Sequence, residues 1–416
     1  MTKINKTTIL IVLAISNFLF ARQNSVDVPW QDNHSKAENL EISLITFSPG
    51  DYLTDWFGHT AIAVQDTFYN YARVYNFGLF SFDDGFINRF VMGRLIFWAG
   101  DASLGAIMSR YMKANRTISY QVLNIENDKK LELAKELANA VLPENSHYLY
   151  HHYEENCATR LRDLIDKAVD GQLYKSTQDP AEYTYREHTR RYTAQSPLMQ
   201  WLLMFLMNDS IDKPIKQWDE MFLPDELAKY VGQLKLENNL PLVSRSFVYF
   251  DSHRPSIPGQ TSQLPLWTIF TGLFLAGFTI LLAVRVKQGK RLFNIIFMIY
   301  SAIITLVFGF IGSSLFFMSM FTDHLVTQGN ENLLLANPVT LVVFFLTIAS
   351  VFSRSKKLQR GIYYLWLGLA ITSILAILLK IIPVFDQDNY MIIAVLLPVN
   401  AAFAAAYKII QKTSDE

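Results

Sequence analysis

The sequence predicts an α+β domain outside the cytoplasm, followed by a helical membrane domain of about five helices. Three observations lead to this fold class. The N-terminus has a basic and then an apolar segment, as export signals do. The middle of the chain mixes short β-rich runs with amphipathic helices, without regular βαβ alternation. Beyond residue 265, long apolar stretches with almost no charge follow one another.

The first 22 residues are predicted to be a signal peptide. Two lysines precede the apolar run Thr8–Phe20, and the small residue Ala21 lies next to the expected cleavage site. An uncleaved anchor helix is the alternative. No cysteine directly follows the apolar run, so the chain itself is not expected to be a lipoprotein.

Residues 23–251 are predicted to form the exported domain. Strands are expected at four β-rich runs bounded by turn signals: residues 40–47, 59–66, 73–82 and 118–125. A helix is expected over about 128–142, where apolar residues recur at helical spacing. A second helix is expected to begin at Cys157, because Asn156 is a favourable N-cap residue.

The membrane domain is predicted at residues 266–409, with 252–265 as a linker and 410–416 as a tail. Its apolar stretches are 266–284, 292–318, 338–353, 361–382 and 391–407. Lysines and arginines lie in the first and third connections, whereas the second and fourth contain none. Basic loops face the cytoplasm. This places the tail inside and the domain before residue 266 outside, in agreement with the export signal.

The charge of the chain argues against nucleic acid as a partner. Lysine plus arginine and aspartate plus glutamate both number 37, and no basic stripe is present. The sequence predicts neither a cofactor nor a metal site.

Cys157, the only cysteine, is a candidate nucleophile. A lone thiol cannot form an internal disulfide, so it pairs outside the chain, is buried and inert, or reacts. At the start of a helix, the unpaired N–H groups and the helix dipole favour the thiolate, so we expect a lowered thiol pKa. The same N–H groups are expected to stabilise an oxyanion.

His59 is the candidate base. It shares a strand face with Ala61 and Ala63, whose small side chains are expected to let the helix of Cys157 approach the sheet. Either residue alone is more often part of a core. Together they favour a catalytic pair, because a nucleophilic cysteine needs a base within hydrogen-bond reach.

Several motifs resemble the Lnb family, which comprises lipoprotein N-acyltransferases of Bacteroidota-type bacteria. Those resembling its periplasmic domain, over roughly residues 40–235, are "FSPGDYLTDWFGHTAI", "YNFGLFSF", "NRTISYQVLNI", "ENCATRLRDL" and "WDEMFLPDEL". The segment "DHLVTQGNENLLLANP" resembles the family's membrane region. A strand histidine before a helix-start "NC" also resembles the permuted papain-like hydrolases, including the lecithin:retinol acyltransferase group. This implies a permuted papain-like exported domain.

The resemblance implies a mechanism and substrates. Cys157 is expected to take a fatty acyl chain from a membrane phospholipid as a thioester, with His59 as the acid and base. The acceptor is the α-amino group of a diacylated lipoprotein, at the periplasmic face of the inner membrane. Asn76 is the expected third, orienting residue, and Asn70 is the weaker choice.

Five further residues are predicted to bind substrate. Tyr52 and Trp56 would line an acyl groove, although a core role is equally expected. Arg160 and Arg162 would hold a lipid phosphate, with a solvated or acid-paired helix face as the commoner alternative. His324 lies in the second exported loop of the membrane domain.

Two other classes of protein are compatible with the sequence. The same pair would serve a cysteine hydrolase, either a peptidoglycan amidase or peptidase or a phospholipase, since only the acceptor changes from amine to water. A non-enzymatic module that binds lipoproteins would keep Cys157 in its core.

Overall fold

The computed structural model describes residues 27–32, 34–353 and 355–415. The predicted signal peptide lies outside the described residues. Contacts divide the chain into two compact units. The first, the sheet unit, comprises the chain up to Tyr185 together with Pro214–Ile257. The second, the helical unit, comprises Arg186–Lys213 and the chain from Pro258 onward.

A seven-stranded antiparallel sheet forms the centre of the sheet unit in the described part of the chain, in the order β6-β4-β3-β2-β1-β5-β7. The strands are β1 (Leu40–Phe47), β2 (His59–Asp66), β3 (Tyr71–Leu79), β4 (Ile96–Ser103), β5 (Ile118–Leu123), β6 (His147–Leu149) and β7 (Val243–Phe250). β3 begins and ends earlier than predicted. Asp66 accepts hydrogen bonds from the backbone of Phe68 and Tyr69, and Asn70 is left-handed, which closes a tight turn.

Helices cover both faces of this sheet. In the described chain up to residue 257, the helices are α1 (Phe86–Met92), α2 (Leu104–Lys113), α3 (Asn127–Ala140), α4 (Cys157–Ala168), α5 (Gln172–Ser176), α6 (Tyr185–Thr193), α7 (Pro197–Leu206), α8 (Gln217–Glu220) and α9 (Pro224–Gln233). Of these, α7 and all of α6 except Tyr185 belong to the helical unit. Residues of α3, α4 and α9 share one core with Ile62 and Val64 of β2. Residues of α2 form a separate core with Ala61 and Ala63. The α+β class predicted from the sequence is therefore confirmed.

The expected role of Ala61 and Ala63 is wrong. Because strand residues alternate between faces, these alanines pack against α2, whereas α4 packs on the opposite face with Ile62. They cannot be the small residues that admit α4.

Helix α4 begins at Cys157, as the sequence predicts. The Asn156 side chain accepts hydrogen bonds from the backbone N–H groups of Ala158 (2.8 Å) and Thr159 (3.0 Å). In return, the Thr159 hydroxyl accepts one from the backbone of Asn156 at 2.8 Å. This capping box confirms Asn156 as the N-cap and holds Cys157 in the first turn.

The helical unit contains the predicted membrane helices. They are α10 (Leu266–Lys287), α11 (Arg291–Phe321), α12 (Pro338–Phe352), α13 (Lys356–Leu378) and α14 (Tyr390–Asp415). Among the described residues, four helices are long and apolar enough to cross a membrane. Leu325–Leu334 and Pro338–Phe352 form a pair bent by 53°, which makes a fifth span if it is counted as one. About five helices were predicted.

The segment Arg186–Lys213 belongs to the helical unit, although it lies within the range predicted for the exported domain. Trp201 of α7 donates a hydrogen bond to the backbone of Met391 in α14 at 3.3 Å. Arg190 of α6 forms a buried ion pair with Asp388 at 2.6 Å. These contacts explain why the segment clusters with the apolar helices.

Candidate active site

His59 opens β2, directly after Gly58, whose φ of +78° is favourable only for glycine. Its Nε2 lies 3.3 Å from Oδ1 of Asn76 on the neighbouring β3. The Asn76 amide donates through Nδ2 to the carbonyl of Val74, also at 3.3 Å, so Oδ1 is directed to the histidine. Since Oδ1 only accepts, Nε2 carries the proton and Nδ1 is left with a lone pair.

Cys157 lies beside the residue that follows His59. The backbone N–H of Thr60 is within hydrogen-bonding range of its sulfur. The pairing of β2 with β3 stops at Ala61 and Asn76, and β3 is irregular beyond that point. Thr60 therefore has no partner on β3, and its N–H is available to the thiol.

Gly78 lies against the start of α4. It has a φ of +86° in the irregular part of β3, and a Cβ placed on it would lie 3.7 Å from Cβ of Cys157, an ordinary van der Waals distance. Glycine is therefore favoured here by its backbone conformation and not by a lack of space.

The expected lowering of the thiol pKa is wrong. Burial raises the pKa of Cys157 to about 11, although the N–H groups of Thr60 and Ala158 and the charge of Arg116 act in the opposite direction. Burial and the charge of Arg116 lower the pKa of His59 to about 3, although the hydrogen bond that His59 donates to Asn76 acts in the opposite direction. Desolvation therefore outweighs the helix terminus, and at neutral pH the thiol and the imidazole are both uncharged.

Tyr111 and Arg116 complete the surroundings of the pair, and neither was predicted. The Tyr111 ring stacks on that of His59, with centroids 6.1 Å apart. The buried Arg116 guanidinium lies 4.8 Å from the Tyr111 ring and pairs with Asp55 at 3.1 Å. Residues 111 and 116 follow no sequence period or motif, so only the fold shows that they adjoin the site.

An open cleft with a volume of about 110 Å³ adjoins His59. Its wall includes His59, Asn76, Gly78, Phe80, Trp98 and Tyr111. The indole N–H of Trp98 is buried without a hydrogen-bond partner among the described residues. Cys157 does not line the cleft, but Gly78 lines it and lies next to Cys157. The cleft offers space for a substrate beside the thiol, and the Trp98 N–H is a donor that a substrate can use.

The donors for an oxyanion differ from those expected. The N–H groups of Ala158 and Thr159 are already bonded to the Asn156 side chain. The backbone N–H of Cys157 lies within hydrogen-bonding range of its own sulfur. All three helix-start N–H groups thus already have an acceptor.

Tyr148 of β6 supplies a donor. Its hydroxyl is buried and lies 3.9 Å from a Cβ placed on Gly78, whose backbone N–H is within range of the hydroxyl oxygen, so the hydroxyl proton is left to donate. The Arg160 guanidinium sits 4.5 Å from the Tyr148 ring centroid and pairs with Glu155 at 2.7 Å. This arrangement holds the ring beside Cys157. Its only signal in the sequence is the position of "HYLY" shortly before the cysteine.

The residues predicted to bind substrate lie outside the cleft wall. Tyr52 is 50% exposed, and Trp56 is buried and donates to the carbonyl of Asp51 at 3.1 Å. Arg162 is buried, donates to the carbonyl of Trp218 at 3.0 Å, and packs 4.0 Å from its ring centroid. These contacts hold Trp56 and Arg162 in the packing of the sheet unit.

The remaining predicted residues lie elsewhere. His324 belongs to the helical unit, directly before a 3-10 turn at Leu325–Thr327. Asn70 lies in the β2–β3 turn with a left-handed backbone, whereas Asn76 contacts His59. Of the two asparagines considered, Asn76 is thus the one that the structure brings to the histidine.

The fold defines a membrane protein with a periplasmic α+β domain and a bundle of transmembrane helices. Residues 27–191 match the Lnb N-terminal periplasmic domain, and residues 262–413 match the Lnb transmembrane domain. The chain therefore belongs to the Lnb family, as the sequence motifs indicated. Comparison with curated proteins and with solved structures found no match.

Proposed function

We propose that the protein is a lipoprotein N-acyltransferase of the bacterial inner membrane, with its active site in the periplasm. The observation that carries the proposal is that Cys157 lies beside Thr60, the residue after His59, and that His59 lines an open cleft, in a chain that also has apolar helices long enough to span a membrane. A phospholipid donor and a lipoprotein acceptor are both confined to a membrane, and a protein anchored there meets both.

The first half-reaction forms a thioester. Nδ1 of His59 takes the proton of the Cys157 thiol while the sulfur attacks the ester carbonyl of a phospholipid. The tetrahedral intermediate collapses, the ester C–O bond breaks, and His59 returns the proton to the departing alcohol. The products are an acyl-Cys157 thioester and a lysophospholipid.

The second half-reaction moves the acyl chain to the lipoprotein. The free α-amino group attacks the thioester carbonyl, and His59 takes a proton from the nitrogen. The C–S bond then breaks, and the sulfur recovers that proton as Cys157 becomes a thiol again. The result is an N-acylated, triacylated lipoprotein, and no cofactor is required.

Asn76 and Tyr148 support these steps from either side of the pair. Asn76 binds Nε2–H and so keeps the lone pair of His59 on Nδ1. The Tyr148 hydroxyl is our proposed donor to the oxyanion. A neutral resting pair means that His59 acts as a general base during attack and does not hold a preformed thiolate.

The test of this function is mass spectrometry of lipoprotein N-termini. Cells that contain the protein should carry triacylated lipoproteins, and cells with Cys157→Ala should carry only the diacylated form. His59→Ala should be nearly inactive and Asn76→Ala less affected, because an orienting residue is partly dispensable. Triacylated lipoproteins in the Cys157→Ala strain would overturn the proposal.

The thioester itself is a second readout. Purified protein given phospholipid without acceptor should gain one fatty-acyl mass on Cys157, and neutral hydroxylamine should remove it. A diacylated lipopeptide with a free amino terminus should discharge the thioester, whereas its N-acetylated form should not. Because the cleft is open to solvent, water is the competing acceptor. Equal discharge by both peptides would favour the hydrolase.

Tyr148→Phe tests the oxyanion donor with the loss of a single oxygen. We expect kcat to fall by about 100-fold, the usual effect of losing one such donor. Tyr120→Phe is the matched control, since its buried hydroxyl faces Met108 at 3.6 Å and Tyr120 does not line the cleft. Equal losses in both variants would assign the effect to packing.

A further inference from the structure

Helix α1 exposes its apolar residues and buries none. No residue of Phe86–Met92 is buried, Ile87 is 76% exposed, and Phe90 is 53% exposed. Phe82, just before the helix, is also exposed. A helix in a water-soluble domain normally turns its apolar residues towards a core. This helix therefore requires an apolar environment that the described chain does not supply.

The exposed apolar surface extends beyond the helix. Ile96 follows α1 at the start of β4 and pairs with Leu149 of β6, and both side chains are exposed. We call the whole set the α1 surface: Phe82, Ile87, Phe90, Val91, Ile96 and Leu149. Contiguous exposed apolar residues of this kind mark a site of contact with a partner or a membrane.

Aromatic rings connect the α1 surface with the cleft. Phe86 stacks with Phe80 at 6.0 Å, Phe80 with Phe97 at 5.0 Å, and Phe97 with Tyr150 at 4.2 Å. Phe80 also lines the cleft. Burial raises the pKa of the Tyr150 hydroxyl, and negative charge on the nearby Cys157 would raise it further. An apolar chain could thus pass from the α1 surface to the cleft along aromatic side chains.

Charge and tethering favour a lipid bilayer as the occupant. Arg89 lies within α1 and Arg94 follows its end. Arg89 pairs with the exposed Asp83. Arginine beside exposed aromatic and aliphatic residues is typical of segments that lie in the headgroup region. The chain also carries its own transmembrane helices, so the sheet unit always works next to a membrane.

We propose that the α1 surface inserts into the bilayer and that the acyl chain of the donor lipid leaves the membrane there, towards Phe80 and the cleft. The proposed insertion into the bilayer depends only on the exposed residues of the α1 surface. The proposed lipid path depends in addition on the acyltransferase function proposed above.

Lipid contact can be measured in the full-length protein. Cys157 is the only cysteine, so Cys157→Ser leaves no thiol, and Ile87→Cys then carries a single environment-sensitive fluorophore. In nanodiscs containing nitroxide-labelled phospholipid, we expect a blue-shifted emission that is quenched at least about two-fold. Asp128→Cys on α3, an exposed polar position, is the matched control and should be unquenched. A blue shift without quenching would indicate a protein partner and overturn the proposal, as would no change.

Activity separates the lipid path from the chemistry. Ile87→Asp, with Cys157 intact, should lower transfer from bilayer phospholipid by about tenfold, since a charge opposes insertion of an apolar residue. Transfer from a short-chain, water-soluble phospholipid should be unchanged. Leu240→Asp is the matched control, because Leu240 is an exposed apolar residue outside the α1 surface. It should leave transfer from both donors unchanged. Equal loss with both donors, or no loss, would overturn the path. If the wild type transfers from neither donor, the acyltransferase function fails, while the quenching experiment still decides insertion.

Discussion

The thiol of Cys157 should remain protonated far above neutral pH. Burial raises its pKa from 9.0 to about 11. At pH 7 the thiolate fraction then falls from about 1 in 100 to about 1 in 10,000. Because iodoacetamide reacts with the thiolate, we expect alkylation at pH 7 about 100-fold slower than for an unshifted thiol. This distinguishes a neutral resting pair from a thiolate–imidazolium pair.

The assay is the alkylation rate as a function of pH, followed by intact mass. Each chain has one cysteine, so each added mass reports on Cys157 alone. The rate should rise until about pH 11. The pKa of His59 is lowered to about 3, so the imidazole stays neutral from pH 6 upward and adds no step. A plateau below pH 8 would refute the reasoning. The urea-unfolded chain, in which the thiol loses its burial, should titrate near 9.

Four further substitutions test the packing. Gly78→Ala should lower the free energy of unfolding by about 1–2 kcal/mol, because its φ of +86° disfavours a side chain, and activity should fall with it. Gly272→Ala places a Cβ 2.1 Å from backbone of a neighbouring helix and should destabilise the helical unit by about 1–3 kcal/mol in thermal unfolding. Gly277→Ala, with nothing within 4 Å, should be neutral. Asp388→Asn should cost about 3–5 kcal/mol, because it leaves the buried Arg190 charge unpaired, and an unchanged melting temperature would contradict this.

Local patterns in the sequence were sufficient for the elements of the site. The strand at 59–66, the helix from Cys157 and its Asn156 cap depend on alternation, helical spacing and capping chemistry, all of which act within a few residues. The apolar stretches and their charged flanks likewise predict membrane helices by length and composition. The family followed from several motifs in order, and the domain matches confirm it.

Some residues that surround the site are invisible to such patterns. Tyr111, Arg116 and Tyr148 come from different elements and meet His59 or Cys157 only when the sheet is assembled. The unit to which Arg186–Lys213 belongs could not be predicted from the sequence either. Nothing in the polar helix α6 indicates that Arg190 pairs with Asp388, some 200 residues further along the chain.

The sequence by itself predicted Cys157 as the nucleophile and His59 as the base, and it was sufficient for the family and the apolar spans, because each depends on residue type and local spacing. The tertiary structure decided that α4 meets the sheet beside Thr60 and Gly78, where β3 leaves β2. It also decided the charge state of the pair. A helix start favours a thiolate, but burial disfavours it more, and burial is a property of the assembled fold and not of the residues next to Cys157 in the chain.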